Sequence, residues 1–355
     1  MVDYTIQSLL QAMLDRKASD LHLSAGSPPI FRVNGVLVST QTDPLSPDSV
    51  RELIYPILAE RQRQAFEARK ELDFSYSITG LSRYRGNLFL QRGTPAAVFR
   101  AIPMQPPTLD QLGFPPVLKE LCKKPRGLVL VTGPTGSGKS TTLAAMVEFI
   151  NAQQPVHIVT IEDPIEFLYK DKRALIHQRE LGGDTDSFAE ALKHVLRQDP
   201  DVILIGEMRD LETISLALTA AETGHLVFGT LHTMGAPSTV DRVVDVFPPH
   251  HQQQIRVQLA GALEGVVSQT LVPLSDGRGR GCAMEIMVGT TAVRNLIRQG
   301  ATHQLLSAIQ SGGPTGMVSL NVSLKRLVDT GKVSFEAALS HSSSPDELKK
   351  LCGKA

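Results

Sequence analysis

The segment GPTGSGKS at residues 133–140 constrains the fold of this chain more than any other feature of its sequence. It is a full match to the pattern GxxxxGK(S/T), and it lies between an apolar run at residues 128–132 and a helical pattern from Lys139. Glycines permit a tight turn that aims backbone N–H groups at a phosphate, and the helix N-terminus adds a positive dipole. The pattern therefore predicts a nucleotide site in a strand–loop–helix unit.

The side chains of this loop have separate predicted roles. Lys139 is expected to reach the β- and γ-phosphates of ATP, and the Ser140 hydroxyl is expected to ligate Mg²⁺. The other expected nucleotide contacts are Gly133, Thr135, Gly136, Ser137, Gly138 and Thr141. A glycine-rich structural turn is the alternative interpretation, and the strand pattern before the loop and the helix pattern after it argue against a chance match.

Hydrophobic periodicity divides the chain into two parts. Residues 1–102 carry helical patterns at residues 6–16 and from Val50 to about Arg69, with alternating strand patterns around them. This combination indicates a small α+β domain with an antiparallel sheet. Residues 103–112 are rich in proline and poor in periodicity, and they are predicted to form a linker.

The second part, residues 113–355, alternates apolar strands with helices, which is typical of a mostly parallel, doubly wound α/β sheet. Strands are predicted at residues 128–132, 157–161, 202–205 and 226–230, and helices at residues 139–151, 188–197 and 211–222. After Pro237 the chain is predicted to be largely helical, apart from a hairpin around residues 276–279. The tail from Ser342 is expected to be loosely held.

Composition narrows the classes of function. Lys plus Arg and Asp plus Glu number 36 each, so the net charge is zero, whereas general nucleic-acid binders usually carry a strong positive excess. The three cysteines are far apart in sequence and form no metal-binding pair. The first residues lack the pattern of a signal peptide, and no apolar run is long enough to span a membrane. We therefore expect a cytoplasmic protein with no nucleic-acid partner and no direct membrane insertion.

Carboxylates follow two of the predicted strands. Residues 160–166, TIEDPIE, place Glu162, Asp163 and Glu166 where doubly wound folds have their ligand crevice. These acids could orient water or hold a metal, and a solvated acidic loop is the alternative. Residues 202–207, VILIGE, have the apolar strand of a Walker B motif, but the acid comes one residue late, after a glycine. The longer side chain of Glu207 suits contact with Mg²⁺ through a water.

Two histidines flank the strand predicted at residues 226–230. His225 precedes it and His232 follows it, so seven residues at ~3.3 Å each separate them by roughly 20 Å, and both cannot contact one phosphate. His232 lies at the carboxyl end of the strand and is predicted to sense the γ-phosphate. His225 is predicted to serve packing or a neighbouring subunit, since an isolated histidine is more often structural than functional.

Together these segments resemble the PilT-like, pilus-retraction branch of the type II/IV secretion ATPase superfamily. TIEDPIEF at residues 160–167 is similar to the Asp box of that family, residues 196–213 to its Walker B region, and TGHLVFGTLHT at residues 223–233 to its His box. Further matches are ASDLHLSAG (18–26), RYRGNLFLQRG (83–93), VSQTLVP (267–273) and TAVRNLIRQ (291–299). The resemblance spans nearly the whole chain and preserves the order of the motifs.

The resemblance implies a RecA-like P-loop ATPase core, a smaller PAS-like N-terminal domain, and a homo-hexameric ring with ATP sites between subunits. The catalytic glutamate of the family corresponds to Glu166, and its Walker B glutamate corresponds to Glu207. The other residues implied at the site are His225 and His232 of the His box and the N-terminal arginines Arg83 and Arg100, with Arg85 as a third candidate. A solvated strand face is the alternative interpretation of these arginines.

The implied function is a motor that hydrolyses ATP to retract type IV pilus fibres, at the cytoplasmic base of a machine in the inner membrane. Its expected partners are a membrane platform protein and, in some cells, a second retraction ATPase. An assembly or secretion ATPase is the alternative within the superfamily. The absence of a four-cysteine insert and the short N-terminal part favour retraction, and the intact Walker A and His boxes favour the PilT-like branch over a PilU-like accessory motor. A nucleic-acid-translocating RecA-like motor and a P-loop kinase are the alternatives from other classes.

Two segments depart from the pattern of the family. Gly86 replaces a usual valine and is expected to loosen its strand. GMVSLN at residues 316–321 has Ser319 and Asn321 where Thr and Asp are usual, which puts contacts of the C-terminal helices in doubt.

Overall fold

The computed structural model describes residues 4–103 and 105–354, and it divides into two units, Met1–Gln105 and Pro106–Ala355. The division falls among the residues predicted as a linker. Residues 1–3 and 355, at the outer ends of the predicted domains, and residue 104 of the predicted linker lie outside the described residues. The domain boundaries themselves stay a prediction.

The N-terminal unit contains three α-helices and six strands among its described residues. In chain order they are α1 (Ile6–Asp15), β1 (Ala18–Ser24), β2 (Ile30–Val33), β3 (Val36–Ser39), α2 (Pro47–Ile54), α3 (Glu60–Arg69), β4 (Glu71–Ile78), β5 (Ser82–Gln91) and β6 (Thr94–Ile102). The strands form one antiparallel sheet in the order β3-β2-β1-β6-β5-β4. The predicted α+β character of this part agrees with these elements.

The core of this unit lies where α1 and α2 pack on one face of the sheet. Leu10 and Met13 of α1 are fully buried beside Leu21 and Phe99 of the sheet. The Tyr84 hydroxyl on β5 donates to the backbone oxygen of Leu10 at 3.1 Å, which ties the first helix to the sheet. Burial of the Tyr84 phenol raises its pKa to about 12, with Asp15 adding to the rise.

Two local expectations for this unit were wrong. The single helix expected from Val50 to about Arg69 is two helices, because a 3₁₀ turn at Tyr55–Ile57 separates α2 from α3. Pro56 lies in this turn, and its missing N–H and fixed φ end the helix. Gly86 does not loosen its strand, since β5 is continuous there and the Phe74 ring fills the space where a Cβ would lie, 2.5 Å away.

The second unit contains the remaining elements. In chain order they are α4 (Val117–Cys122), β7 (Gly127–Thr132), α5 (Lys139–Gln153), β8 (His157–Glu162), β9 (Leu175–Glu180), α6 (Phe188–Val195), β10 (Val202–Ile205), α7 (Leu211–Glu222), β11 (Leu226–Leu231), α8 (Ala236–Asp245), α9 (Pro249–Ala262), β12 (Leu263–Pro273), β13 (Arg280–Val288), α10 (Thr291–Gln299), α11 (Leu305–Ser311), α12 (Leu320–Asp329), α13 (Phe335–Ser340) and α14 (Pro345–Leu351).

Seven of these strands form a sheet in the order β13-β12-β7-β11-β10-β8-β9, and all neighbours are parallel except the β12–β13 pair. Every residue of β7 and β11 is buried, as expected for strands covered on both faces. Leu128 and Leu130 of β7 face the core under α6 to α9, whereas Val129 and Val131 face the core under α4 and α5. This is the doubly wound α/β arrangement that the sequence predicted.

Three features of this unit differ from the sequence prediction. Strand β9 was not predicted, and the hairpin around residues 276–279 joins two long strands that extend the main sheet. The tail is not loose, because α14 packs with Leu348 fully buried. Asn321, the departure noted in the sequence, donates from Nδ2 to the Ser344 backbone oxygen at 3.0 Å and thus holds the start of α14.

None of the helices in the described part of the chain is long and apolar enough to cross a bilayer.

Candidate nucleotide site

The loop at residues 133–140 connects the end of β7 to the start of α5, as predicted. Its glycines have positive φ values, 140° at Gly133, 78° at Gly136 and 89° at Gly138. A Cβ at Gly133 would lie 2.3 Å from the backbone oxygen of Gln269, so both the φ value and the space require glycine there. The turn therefore brings successive backbone N–H groups toward the N-terminus of a 15-residue helix, which favours an anion.

Lys139 and Ser140 are the first two residues of helix α5. Lys139 Nζ donates to the backbone oxygens of Gly133 at 2.8 Å and Pro134 at 3.2 Å. Burial lowers the pKa of the Lys139 ammonium, and the Glu207 carboxylate only partly offsets this. Ser140 is exposed, and Thr141 is half-buried beside it.

Lys139, His232 and Glu207 form a chain of contacts at the carboxyl ends of the strands. Lys139 Nζ lies 3.4 Å from His232 Nδ1, and His232 Nε2 lies 2.9 Å from Glu207 Oε1. Arg209 Nε also contacts Glu207 Oε1, at 2.5 Å. Burial would raise the pKa of the Glu207 carboxyl, but the hydrogen bond and charge of Arg209, together with His232, hold it below its ordinary value. Glu207 is therefore an anion at neutral pH.

A cavity of about 80 Å³ joins the separate motifs. Its polar lining residues include Ser140 from the loop, Glu162 at the end of β8, Asp163 and Glu166 from the segment after β8, Glu207 after β10, and Thr230 on β11. These residues come from four neighbouring strand ends or loops, which is where an open α/β sheet binds its ligands. The structure thus brings together the predicted metal ligands and the predicted catalytic glutamate.

The carboxylates of this cavity have different surroundings. Glu162 accepts from the Thr160 hydroxyl at 2.7 Å and from the Gln178 amide at 3.2 Å, and burial raises its pKa. Glu166 is exposed at the cavity wall, and its backbone N–H is 3.5 Å from Glu162 Oε2. A carboxylate held by its neighbours is suited to supporting the loop, whereas an accessible one can contact a bound molecule.

In the Walker B segment Gly206 separates the strand from the acid, Glu207, and the packing around Gly206 explains this order. Its backbone N–H donates to the Ile161 oxygen at 2.7 Å, and the Thr230 hydroxyl donates to its carbonyl oxygen. A Cβ at this position would lie 3.1 Å from the Ile161 oxygen and 3.2 Å from the Glu162 Cα. Glycine thus lets the backbones of β8 and β10 approach closely before Glu207 turns into the cavity.

A second, larger cavity of about 780 Å³ lies on the other side of the loop. Gly138 and Thr141 line it together with Phe114, Leu271, Cys282 and Arg326. Its mixed apolar and basic lining and its volume suit a nucleoside attached to phosphates bound at the loop.

Gln269 of β12 contacts the phosphate loop, and the sequence did not assign it a role. Its amide donates to the Ser137 backbone oxygen at 2.7 Å and accepts from the Thr142 hydroxyl at 2.8 Å. Gln269, Ser137 and Thr142 are all buried, so this amide fixes the loop against the first turn of α5. The segment VSQTLVP, already similar to the family, was the only signal for it.

Among the predicted residues of the second unit, His225 does not line the cavity that contains Ser140 and Glu207. His225 Nδ1 contacts the Ala220 backbone oxygen at 3.0 Å, beyond the amino end of β11, in agreement with a packing role. Arg83, Arg85 and Arg100 belong to the N-terminal unit, where Arg100 pairs with Arg85 across β5 and β6. Arg100 Nε contacts the buried Asp20 carboxylate at 2.8 Å. Their role toward a nucleotide stays a prediction.

The family model "Type II/IV secretion system protein" matches residues 1–303. The chain belongs to the type II/IV secretion system protein family. A Pseudomonas aeruginosa protein named "Type IV pilus retractation ATPase PilT" is 52% identical over 97% of this chain and 99% of its own length. A Neisseria gonorrhoeae "Twitching motility protein" is 46% identical over 98% and 93%, respectively.

Among solved structures, the chain is similar to one described as "Crystal Structure of the Pilus Retraction Motor PilT and Bound ADP". The two share 45% identity with a TM-score of 0.92, over 98% of this chain and 100% of the other. The predicted α/β fold with a RecA-like ATPase core is confirmed by this likeness, and so is the prediction of a nucleotide-using ATPase.

Proposed function

We propose that this protein is the hexameric motor that hydrolyses ATP to retract type IV pili, and that it works in the cytoplasm at the inner-membrane base of the pilus machine. The observation that carries the proposal is the cavity that joins Ser140, Glu166 and Glu207 beside the phosphate loop. The near full-length similarity to a pilus retraction ATPase supports retraction as the function of the motor.

The loop binds the phosphates of ATP in this proposal. Backbone N–H groups of residues 133–140 and the α5 dipole attract the β-phosphate, and Lys139 exchanges its contacts with the Gly133 and Pro134 oxygens for phosphate oxygens. The remaining predicted contacts shape the phosphate-binding loop or line it: Gly133, Thr135, Gly136, Ser137, Gly138 and Thr141. The larger cavity beside Thr141 takes the nucleoside.

The donor set fits Mg²⁺, because the Ser140 hydroxyl and the ionised Glu207 carboxylate are hard oxygen ligands facing one cavity. Ser140 would hold the ion directly and Glu207 through a water. When bound, the ion neutralises charge on the phosphates. His232, which contacts Lys139 and Glu207, would respond to a γ-phosphate in this proposal.

Glu166 orients the attacking water in this proposal. Its side chain is exposed at the wall of the cavity that Ser140 also lines, whereas the Glu162 carboxylate accepts hydrogen bonds from Thr160 and Gln178. An orienting carboxylate contributes through geometry and proton acceptance rather than through ATP affinity. Binding and hydrolysis should therefore separate when Glu166 is changed.

The hexamer supplies the rest of the site in this proposal. Arg83 and Arg100, with Arg85 as a third candidate, would contact the nucleotide of a neighbouring subunit and neutralise charge that develops during hydrolysis. The expected partners are an inner-membrane platform protein and, in some cells, a second retraction ATPase. Neutral net charge gives no support for a nucleic-acid partner.

Glu166→Gln tests the chemistry. We expect ATP to bind with near-normal affinity and hydrolysis to fall by about 10²- to 10⁴-fold, measured as phosphate release at saturating ATP. Glu336→Gln on α13, also an exposed glutamate, is the matched control and should hydrolyse ATP normally. Wild-type turnover by Glu166→Gln together with loss in Glu162→Gln would assign the role to Glu162 instead.

A count of surface pili on cells with and without this protein tests whether the motor retracts pili or assembles them. More surface pili with lost twitching motility on deletion is the expected result. Few or no pili would instead indicate an assembly ATPase, with the ATP chemistry unchanged.

A further inference from the structure

The segment that carries Glu166, residues 163–169, contains no helix or strand, although the proposed chemistry requires it to hold one carboxylate in place. Such a segment has few backbone hydrogen bonds of its own. Its position must therefore be set by contacts with the rest of the unit. Two side chains of β9, the strand that the sequence did not predict, supply three hydrogen bonds of this kind.

Gln178 of β9 holds the part of the segment that follows Glu166. The backbone N–H of Tyr169 donates to Gln178 Oε1 at 3.0 Å, and Gln178 Nε2 donates to the backbone oxygen of Phe167 at 2.8 Å. The same amide nitrogen donates to Glu162 Oε1 at 3.2 Å. One side chain thus joins the segment after Glu166 to the carboxylate before it.

Glu180 of β9 holds the part that precedes Glu166. The backbone N–H of Ile165 donates to Glu180 Oε2 at 3.0 Å, and Glu180 is buried. Because side chains alternate along a strand, Gln178 and Glu180 lie on the same face of β9. The backbone is therefore fixed at Ile165 and at Phe167, the two residues next to Glu166.

This arrangement restricts the backbone of Glu166 while leaving its side chain at the cavity wall. Glu166 has an exposed side chain, so its own packing does little to orient it. A displacement of ~1 Å from a catalytic geometry can lower a rate by about 10²-fold. Neither Gln178 nor Glu180 lines the cavity with Ser140 and Glu207, so neither is placed to contact the reacting atoms.

We propose that Gln178, supported by Glu180, is the positioning residue for the water-orienting Glu166. The proposal rests on the proposed function of Glu166. It adds that the rate of hydrolysis depends on a side chain outside the cavity, on a strand that carries none of the nucleotide-binding motifs.

Gln178→Met tests the proposal, since methionine keeps the length of the side chain and removes all three hydrogen bonds. We expect kcat for ATP hydrolysis to fall about 10- to 100-fold, with KM and the Kd for ATP within twofold of the wild type. His177→Gln is the matched control on the same strand, because His177 contacts His157 at 2.9 Å instead of the segment. The control should keep the wild-type kcat. An unchanged kcat in Gln178→Met would overturn the proposal.

The double variant Gln178→Met/Glu166→Gln separates positioning from general damage. If Gln178 acts through Glu166, the double variant hydrolyses ATP at the rate of Glu166→Gln alone, because residues that act as one unit are not additive. A further 10-fold loss would mean that Gln178 does not act through Glu166. Wild-type hydrolysis by Glu166→Gln alone would refute the proposed role of Glu166, whatever Gln178→Met does.

A measurement on the unmodified protein covers the case in which Gln178→Met fails to fold. Amide hydrogen exchange, resolved to single residues by fragmentation mass spectrometry, should show protection of the Ile165 and Tyr169 amides. Exchange of both amides at the rate of an open loop would overturn the proposal.

Discussion

Gln269→Leu should loosen the phosphate loop from inside the fold. The substitution removes the donor to the Ser137 oxygen and the acceptor for the Thr142 hydroxyl. Both partners are buried, at 3% and 0% exposure, so water cannot readily replace the lost bonds. We expect the variant to be less stable and to bind ATP more weakly, because the loop loses its link to β12.

The magnitude follows from the number of groups left without partners. A buried polar group that loses its partner costs about 1–3 kcal/mol, and Gln269→Leu leaves two such groups. The free energy of unfolding should therefore fall by about 2–6 kcal/mol. Thr142→Val in the same background removes one of the two groups, and it should restore about 1–3 kcal/mol.

Urea unfolding followed by far-UV circular dichroism measures these differences as shifts of the midpoint. The affinity for a fluorescent ATP analogue measures the effect of the substitution on the phosphate loop. Gln254→Leu, an exposed glutamine on α9, is the matched control and should shift stability by no more than about 0.5 kcal/mol. Strict additivity of Gln269→Leu and Thr142→Val would refute the reasoning, because it would show that the two side chains are not coupled.

Two further predictions concern the larger cavity and the tail. The Cys282 thiol should react slowly with iodoacetamide at pH 8, since burial raises its pKa to about 12 and lowers its thiolate fraction about a thousandfold. ATP should slow the reaction further, because Cys282 lines the cavity assigned to the nucleoside. Peptide mass spectrometry measures the rate of alkylation, and a rate equal to that of a free cysteine would contradict the prediction of slow reaction. Leu348→Ala should lower the free energy of unfolding by about 2–5 kcal/mol because Leu348 is fully buried. Leu306→Ala, at a site 42% exposed, should change it little, and equal effects of the two would show that α14 is not packed in solution.

The phosphate loop and its flanking strands could be predicted because their signals are local. The run of apolar residues in β7, the glycines and the first turn of α5 are contiguous, and each acts on its immediate neighbours. The same holds for the acid after Gly206 and for His232, which follow apolar strands directly. Parallel strand ends meet at one edge, so sequence order was enough to place these residues in one crevice.

The contacts that hold the site could not be predicted, because they join residues that are distant in sequence. Strand β9 is short and mixes polar with apolar residues, LIHQRE, so its pattern does not indicate a strand until β8 is beside it. The bond from Gln269 to Ser137 spans 132 residues. The packing of the tail could not be predicted for the same reason, because Leu348 packs against residues of α12 and α13.

Gly206 has a consequence for any attempt to transfer this site to another protein. Three strand ends converge on its backbone, with β8 accepting its N–H and Thr230 of β11 donating to its carbonyl. Grafting the motif residues onto three loops of a different sheet would reproduce the side chains but not the close approach of these strand ends around Gly206. The smallest unit that could be transferred intact is therefore the set of strand ends packed around Gly206.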